Sequence, residues 1–295
     1  MEKIQIINKD IDITLLMERI KIFYGNNYSK KYSIVRYIEQ HIEKANNTEY
    51  NQEKGIATKL KLNDRELDSR EVNFINVNGY FNFDNDIKLG TKSLSLKYIE
   101  NELKDIEYDD DFNTVSQLLV SLGERISEQH NIIFDNLQLS LKIDELTLKQ
   151  LTKLLYVEIK KDNYITNQYN LTYNHIIKLQ ILLIKNLAEN DLTKKYFVCF
   201  DTHIDEELLE FIYQNFTSNN IYCFVLPNVT INSEKQKDLL FINSKIIDLA
   251  DDIKIYNEIL MSLPFHIERT DFALLIDDYL KNKSSNQTIE LEKLL

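Results

Sequence analysis

Phosphate chemistry is the first possibility that residue type and spacing raise in this chain. The apolar run Arg19–Tyr24 is followed by Gly25-Asn26-Asn27-Tyr28-Ser29-Lys30-Lys31-Tyr32 and then by a helical pattern. That is the place of a phosphate-binding loop, between a strand and a helix. Set against G-x-x-x-x-G-K-[ST], the segment keeps Gly25 and Lys31. Lys30 replaces the second glycine, which lets backbone amides wrap the phosphates, and Tyr32 replaces the hydroxyl that holds magnesium. Losing both predicts neither nucleotide hydrolysis nor a nucleotide cofactor. The apolar run Phe197-Val198-Cys199-Phe200 ends in Asp201, as a Walker-B strand does. Together the two segments predict a degenerate P-loop NTPase-like fold, with an active NTPase as the alternative.

The other chemical groups give no catalytic constellation. The histidines, at 41, 130, 175, 203 and 266, have no metal-ligand spacing with one another or with Cys199 and Cys223. Both cysteines lie inside apolar, strand-like runs and read as buried free thiols. No nucleophile is bracketed by the glycines of a nucleophile elbow. Glu107, Asp109, Asp110 and Asp111 crowd the start of a helix, where acids face the positive end of the dipole. Asp109-x-Asp111-x-Asn113 begins like an EF-hand loop, but Thr114 and Val120 stand where that loop needs glycine and glutamate. Crowded carboxylates repel unless a cation lies among them, so a calcium site at these four acids stays open beside simple capping.

Net charge is −12, which by itself counts against a polyanionic partner. Its distribution is uneven. Eight basic residues face four acidic ones between Lys21 and Lys61, whereas seven acidic residues face only Lys104 between Ile99 and Thr114. Lys30, Lys31 and Arg36 at the loop, with Lys59 and Lys61 before the next strand, form one basic zone. On the inserted helix, Lys149, Lys153 and Lys160 fall within about 40° of one another and make a basic stripe, which reads either as a solvated helix face or as a contact surface. Basic surfaces of this kind hold nucleic-acid phosphates even on an acidic body.

The elements that must position these groups are legible in outline. With 5 Gly and 2 Pro in 295 residues, many-turned β architectures are disfavoured, and the length calls for more than one sub-structure. Strands are expected at Lys3–Ile7, Ile11–Ile13, Arg19–Tyr24 and Val72–Val77, with a helix over Lys31–Ala45 and a loop at Asn46–Gly55. Helices are expected at Ser93–Ile106, Asn113–Asn136 and Leu171–Asn190. Between the last two, a period-two strand at Leu137–Ile143 leads into a helix from Asp144 to Lys160. Tyr196–Asp201, Ile221–Leu226 and Leu240–Leu249 read as strands, and Glu206–Phe216 as a helix. Strands apolar throughout point to a parallel sheet covered on both faces. The tail has two further helices, and Lys281–Gln287 reads as disordered. The fold class is therefore α/β, with a P-loop-like head built from residues 1–91 and 193–250. An α-helical leg covers 92–192, with an insert at about 137–168, and a helical extension covers 251–295. The charged N-terminus has no leader pattern, and no run spans a bilayer, so the expectation is a cytoplasmic protein without a membrane partner.

The order of these features resembles the type II-A CRISPR accessory spacer-acquisition family, and specifically its longer subfamily. The closest segment is Tyr98-Ile-Glu-Asn-Glu-Leu-Lys-Asp-Ile-Glu-Tyr-Asp through Leu122-Gly123-Glu124 to Ile132-Ile133-Phe134-Asp135. Phe197–Asp201, Tyr222-Cys-Phe-Val-Leu-Pro and the basic stretch Lys59–Arg70 match in order and character. The resemblance covers most of residues 1–250. It implies a non-catalytic homotetrameric ring whose lysines grip double-stranded DNA without reading its sequence, supported by structural calcium ions. It also implies work alongside the CRISPR integrase complex and the RNA-guided effector nuclease. A structural helical interaction protein is the further alternative.

Overall fold

The computed structural model describes all residues except 44–57, 80–82, 91–92, 104–105, 130–131, 135–136, 140–141, 162, 230 and 232. The chain divides into two compact units, one formed by Met1–Phe81 with Tyr173–Leu295 and the other by Asn82–Thr172. The first unit opens with β1 (Glu2–Ile7), β2 (Asp12–Met17) and β3 (Ile20–Tyr24), then α1 (Tyr28–Glu43). β4 (Lys59–Leu62), β5 (Arg65–Glu66) and β6 (Val72–Val77) follow. The second unit holds α2 (Phe83–Ile87), α3 (Leu94–Glu102), α4 (Ile106–Gln129), β7 (Ile132–Phe134) and β8 (Leu137–Leu139). It continues with α5 (Leu148–Thr152) and the hairpin β9 (Ile159–Lys161) with β10 (Tyr164–Thr166). The first unit resumes with α6 (Tyr173–Asn190), β11 (Lys195–Phe200), α7 (Glu206–Asn215) and β12 (Ile221–Val225). It ends with β13 (Leu239–Ile242), β14 (Ile246–Asp248), α8 (Arg269–Leu280) and α9 (Asn286–Leu294).

The first unit is an α/β head around a six-stranded sheet of order β14-β13-β3-β12-β11-β6. Every neighbouring pair is parallel except β13 with β14. The central strands β11 and β12 are apolar because both faces are covered: five of six residues of β11 and all five of β12 are buried. Alternation sends Phe23, Phe197, Cys199, Tyr222, Phe224, Leu240 and Ile242 into one core. There they meet Ile34, Val35 and Ile38 of α1, and Ile4, Ile6 and Leu60 from a second, antiparallel sheet of order β2-β1-β4-β5. On the other side Phe200 packs on Phe216 at 6.1 Å, and Phe241 on Tyr279 at 5.9 Å.

One charged pair lies inside this apolar frame. Lys21, fully buried on β3, donates to Asp248 Oδ1 at 2.7 Å and to the Lys237 carbonyl at 3.0 Å. Asp248 also accepts from the backbone amides of Leu16 at 2.8 Å and Ala250 at 2.9 Å. The ammonium thus has two partners and the carboxylate three donors, and together they tie β2, β3 and β14.

Several elements differ from their sequence expectation. The region expected as a single helix from Asp144 to Lys160 has only one short helix. Thr147, not Asp144, caps it, through a capping box with Gln150. The chain then extends: Val157 donates to the Ile87 carbonyl at 3.0 Å, and β9 pairs with β10. Asn163, at φ 66°, takes the left-handed turn between them. Lys149 is therefore on α5, Lys153 is its C-cap and Lys160 is on a strand. The helical stripe does not form. Lys281–Gln287, expected to be disordered, is ordered by a Schellman turn in which Asn282 (φ 54°) is followed by the Lys283 amide bonded to the Asp278 carbonyl at 2.9 Å. Ser285 then caps α9. The expected strand Leu240–Leu249 is a β13–β14 hairpin. Helix α6 and the tail both belong to the first unit rather than to the leg or a separate extension.

Truncating Lys21 leaves Asp248 charged and buried. Lys21→Ala should lower unfolding free energy by about 3–5 kcal/mol, read from the urea midpoint. A loss below about 1 kcal/mol would show that the pair is not structurally important.

Candidate functional site

The loop between β3 and α1 sits at the carboxyl ends of the parallel strands, where open α/β sheets hold ligands. Gly25 takes φ +122°, and a Cβ there would lie 2.5 Å from Asn243 Oδ1 and 2.6 Å from the Ile242 carbonyl oxygen. Glycine is thus required by both backbone conformation and close approach. The loop amides are engaged within the chain. Gly25 N donates to Asn228 Oδ1 at 3.0 Å, Asn26 N to Asn243 Oδ1 at 2.8 Å, and Asn27 N to the Ile242 carbonyl at 3.2 Å. Lys30 N donates to Asn27 Oδ1 at 3.1 Å and Lys31 N to the Asn27 carbonyl at 3.1 Å.

Lys31, the lysine of the phosphate-loop pattern, points inward and is 2% exposed. Its Nζ donates to Asn228 Oδ1 at 2.7 Å and to the Leu226 carbonyl at 3.0 Å. Two neutral oxygens and no carboxylate surround it there, and burial lowers its pKa to about 8. A phosphate contact through Lys31 was expected from sequence, whereas the folded loop holds the ammonium away from the surface. Asp201, following β11, accepts a hydrogen bond from the Tyr28 hydroxyl. That bond to a carboxylate is the main reason the Tyr28 pKa is raised to about 12. The two P-loop-like segments therefore do meet, but through a tyrosine side chain. Beside the loop, Asn26–Ser29, Asn243, Tyr279 and Glu292 line an open cleft of about 720 Å³.

The remaining expected DNA-binding residues lie on several elements. Lys30 is half-buried, with Nζ 3.5 Å from the Ser244 carbonyl. Arg36 is exposed, pairs with Glu39 and lies 6.0 Å from the Tyr32 ring centroid. Lys59 and Lys61 share the solvent side of β4, because Leu60 between them enters the core. Lys59 lies 3.9 Å from Glu66, and Lys61 stands opposite Gln5 of β1. Lys3 occupies the same side of β1 and pairs with Asp64 at 2.7 Å. The alternation of β1 could have added Lys3 to the basic zone, and sequence reasoning missed it. It also missed Asn228 and Asn243, about 200 residues from the loop they organise, for which no local signal exists. In the second unit Lys149, Lys153 and Lys160 are all exposed.

Asp109, Asp110 and Asp111 are exposed at consecutive positions in the first turns of α4, so their side chains fan out at about 100° per residue. The side chain of Glu107 lies outside the described residues. Among the described residues no group of three His, Cys, Asp or Glu side chains is placed to hold a metal. Cys199 and Cys223 are buried and free, and burial pushes both thiols well above their ordinary range. Among the described residues no helix is long and apolar enough to cross a membrane.

Burial of Lys31 has a pH signature. The unfolded chain keeps this proton up to the ordinary lysine value of 10.5, whereas the folded chain releases it near 8. Between these values the unfolded state binds more protons, so stability should rise with pH, by up to about 1.4 kcal/mol per unit. Above about pH 10 the raised tyrosines oppose it, since Tyr28 stays protonated in the folded chain and ionises when unfolded. Urea melts from about pH 7.5 to 9.5 should therefore show a rise that Lys31→Met flattens. Equal slopes in both proteins would place the Lys31 ammonium in solvent.

No family model matches the chain, and no curated protein matches it. Among solved structures, the crystal structure of Stu0660 of Streptococcus thermophilus matches at 13% identity with a TM-score of 0.74, covering 99% of this chain and 92% of that one. The likeness is one of fold, an α/β head with a helical unit, over almost the full length of both.

Proposed function

We propose that this protein is a non-catalytic, cytoplasmic, calcium-supported homotetrameric ring that binds double-stranded DNA during CRISPR spacer acquisition. In this reading it works with the integrase complex and the RNA-guided effector nuclease. The observation that carries it is the division of labour among the lysines. Lys31 and the loop amides are engaged internally, while Lys59 is exposed and Lys61 half-exposed on the outer side of the antiparallel sheet. A loop closed in this way lacks free donors for nucleotide chemistry, and Lys59 with the half-exposed Lys61 suits a phosphate backbone instead. The resemblance of residues 98–135 to the CRISPR accessory family supports the biological setting. The fold shared with Stu0660 agrees with the head and helical unit that the resemblance implies.

Assembly has its own support. Tyr108, Val115, Leu118 and Leu122 recur on one side of α4, and all four are exposed. A single subunit leaves this apolar stripe to water, and self-association would cover it. Calcium at Asp109, Asp110 and Asp111 then needs ligands from beyond this one helix turn, because the three carboxylates diverge.

Mobility shifts with linear and covalently closed DNA of one sequence test the proposal. A pre-formed ring should bind the linear form and not the closed circle. Affinity for linear DNA should be nearly independent of sequence and fall by about 10³-fold or more between about 50 and 200 mM salt. Lys30→Glu, Lys59→Glu and Lys61→Glu together should abolish the shift while the oligomer stays intact. Equal binding to closed circles would exclude threading, and full binding by the charge-reversed protein would remove these lysines from the contact.

A further inference from the structure

The C-terminal helices bear on the β3–α1 loop. In α8 the apolar residues Phe272, Leu275, Ile276 and Tyr279 recur at i, i+3, i+4 and i+7, which is one face of a helix. The first three are buried in the head, and Gln236 ties the helix down by donating to the Ala273 carbonyl at 2.8 Å. Tyr279 ends this stripe beside the loop. Its ring centroid lies 6.4 Å from that of Tyr24 and 5.9 Å from that of Phe241, and those two are 5.4 Å apart, so the three rings form one cluster. Tyr24 and Phe241 stand opposite each other in the parallel pair β3 and β13. Tyr24 precedes Gly25, and Phe241 precedes the Ile242 carbonyl and the Asn243 side chain, which accept the Asn27 and Asn26 amides. Tyr279 thus packs on both strand ends whose spacing sets these bonds, and aromatic pairs favour particular geometries.

Beyond Tyr279 the chain turns at Asn282 into α9, which is anchored by the buried Thr288 and Leu291. Tyr279, Asn282 and Thr288 then line one side of a chamber of about 280 Å³, and Gly25, Asn26 and Asn228 line the other. Asn228 is the residue whose oxygen accepts both the Gly25 amide and the Lys31 ammonium. The tail therefore stands over the closure itself, with open space between them, and reaches the strand ends through Tyr279. We infer that the helix pair α8–α9 is a strap that keeps the β3–α1 loop closed on itself, with Tyr279 as its positioning residue. With the tail in place, Lys31 and the loop amides stay with Asn228, Asn243 and the Ile242 carbonyl. Drawing the tail away loosens the two strand ends and opens the way to Lys31. The device lies wholly within the head and is independent of the DNA-binding reading.

Acetylation of the full chain with an N-hydroxysuccinimide ester, read lysine by lysine by mass spectrometry, tests the strap. At about pH 8.5 the Lys31 amine, its pKa lowered to about 8, is mostly neutral and reacts once reached, so its rate reports access. Lys21, fully buried on β3 and paired with Asp248, reports loss of the whole fold. In the unmodified protein both should react slowly beside the exposed Lys59. Tyr279→Ala should speed Lys31 by about 10-fold or more through local opening, while Lys21 changes by less than about 2-fold. Tyr279→Phe, which keeps the ring, should leave Lys31 protected. If alanine unfolds the head, both lysines accelerate together, and Tyr279→Leu, which keeps most of the apolar volume, should then speed Lys31 alone. Absence of a selective rise at Lys31 in both the alanine and the leucine variants would overturn the strap. Lys31 reacting as fast as Lys59 in the unmodified protein would overturn the closed loop itself.

Discussion

A lysine ammonium held by two neutral oxygens sets the character of this molecule. Lys31 reaches Asn228 Oδ1 and the Leu226 carbonyl from the first turns of α1. The same Asn228 oxygen accepts the Gly25 amide, so one side chain fastens both ends of the loop. Asn243 and the Ile242 carbonyl take the next two amides. These partners all follow strands β12 and β13, which flank β3 in the sheet, so sheet order is what delivers them. Gly25 permits the approach because any Cβ would collide with them. In a nucleotide-binding loop the amides and the lysine must be available to an incoming phosphate. Here a phosphate would have to displace at least four internal hydrogen bonds, of which the Lys31 bond to the Leu226 carbonyl is buried and would leave that oxygen without its donor.

How far the sequence spoke depended on the range of the interactions concerned. The parallel strands were legible because burial on both faces makes them apolar throughout, as in Phe197–Phe200 and Ile221–Val225. The loop was legible as the turn between a strand and a helix because Gly25 marks it between an apolar run and a helical pattern. What filled it was not legible, since Asn228 and Asn243 become neighbours of Gly25 only after the sheet is assembled. The insert misled for a local reason. Lys149, Lys153 and Lys160 have helical spacing, but a strong capping box at Thr147 begins a helix of only five residues, and the β9–β10 ladder then claims Ile159–Lys161. Lysine tolerates either state, so its spacing alone could not decide. The tail misled in the opposite direction: a polar stretch around Asn282 and Ser285 reads as disordered, yet its residues are those that end one helix and start the next.

Electrostatics then distributes the remaining roles. An acidic chain keeps non-specific nucleic-acid binding low everywhere except where basic groups are concentrated. In the head those groups stand on the outer side of β4 and β1, fixed by the alternation that buries Leu60, Ile4 and Ile6. In the second unit the exposed lysines at 149, 153, 160 and 161 are spread over α5, its C-cap and β9, in a stretch that carries as many acidic residues.

The loop between β3 and α1 is closed by its own chain. Thermal unfolding in the presence of magnesium and ATP tests it most directly, because a ligand that binds only the folded state at 100 times its Kd stabilises by about 2.7 kcal/mol. With the loop closed, Tm should be unchanged at millimolar Mg–ATP. A concentration-dependent rise in Tm that is absent in Lys31→Met would contradict it, and would show that Lys31 leaves Asn228 to take a phosphate.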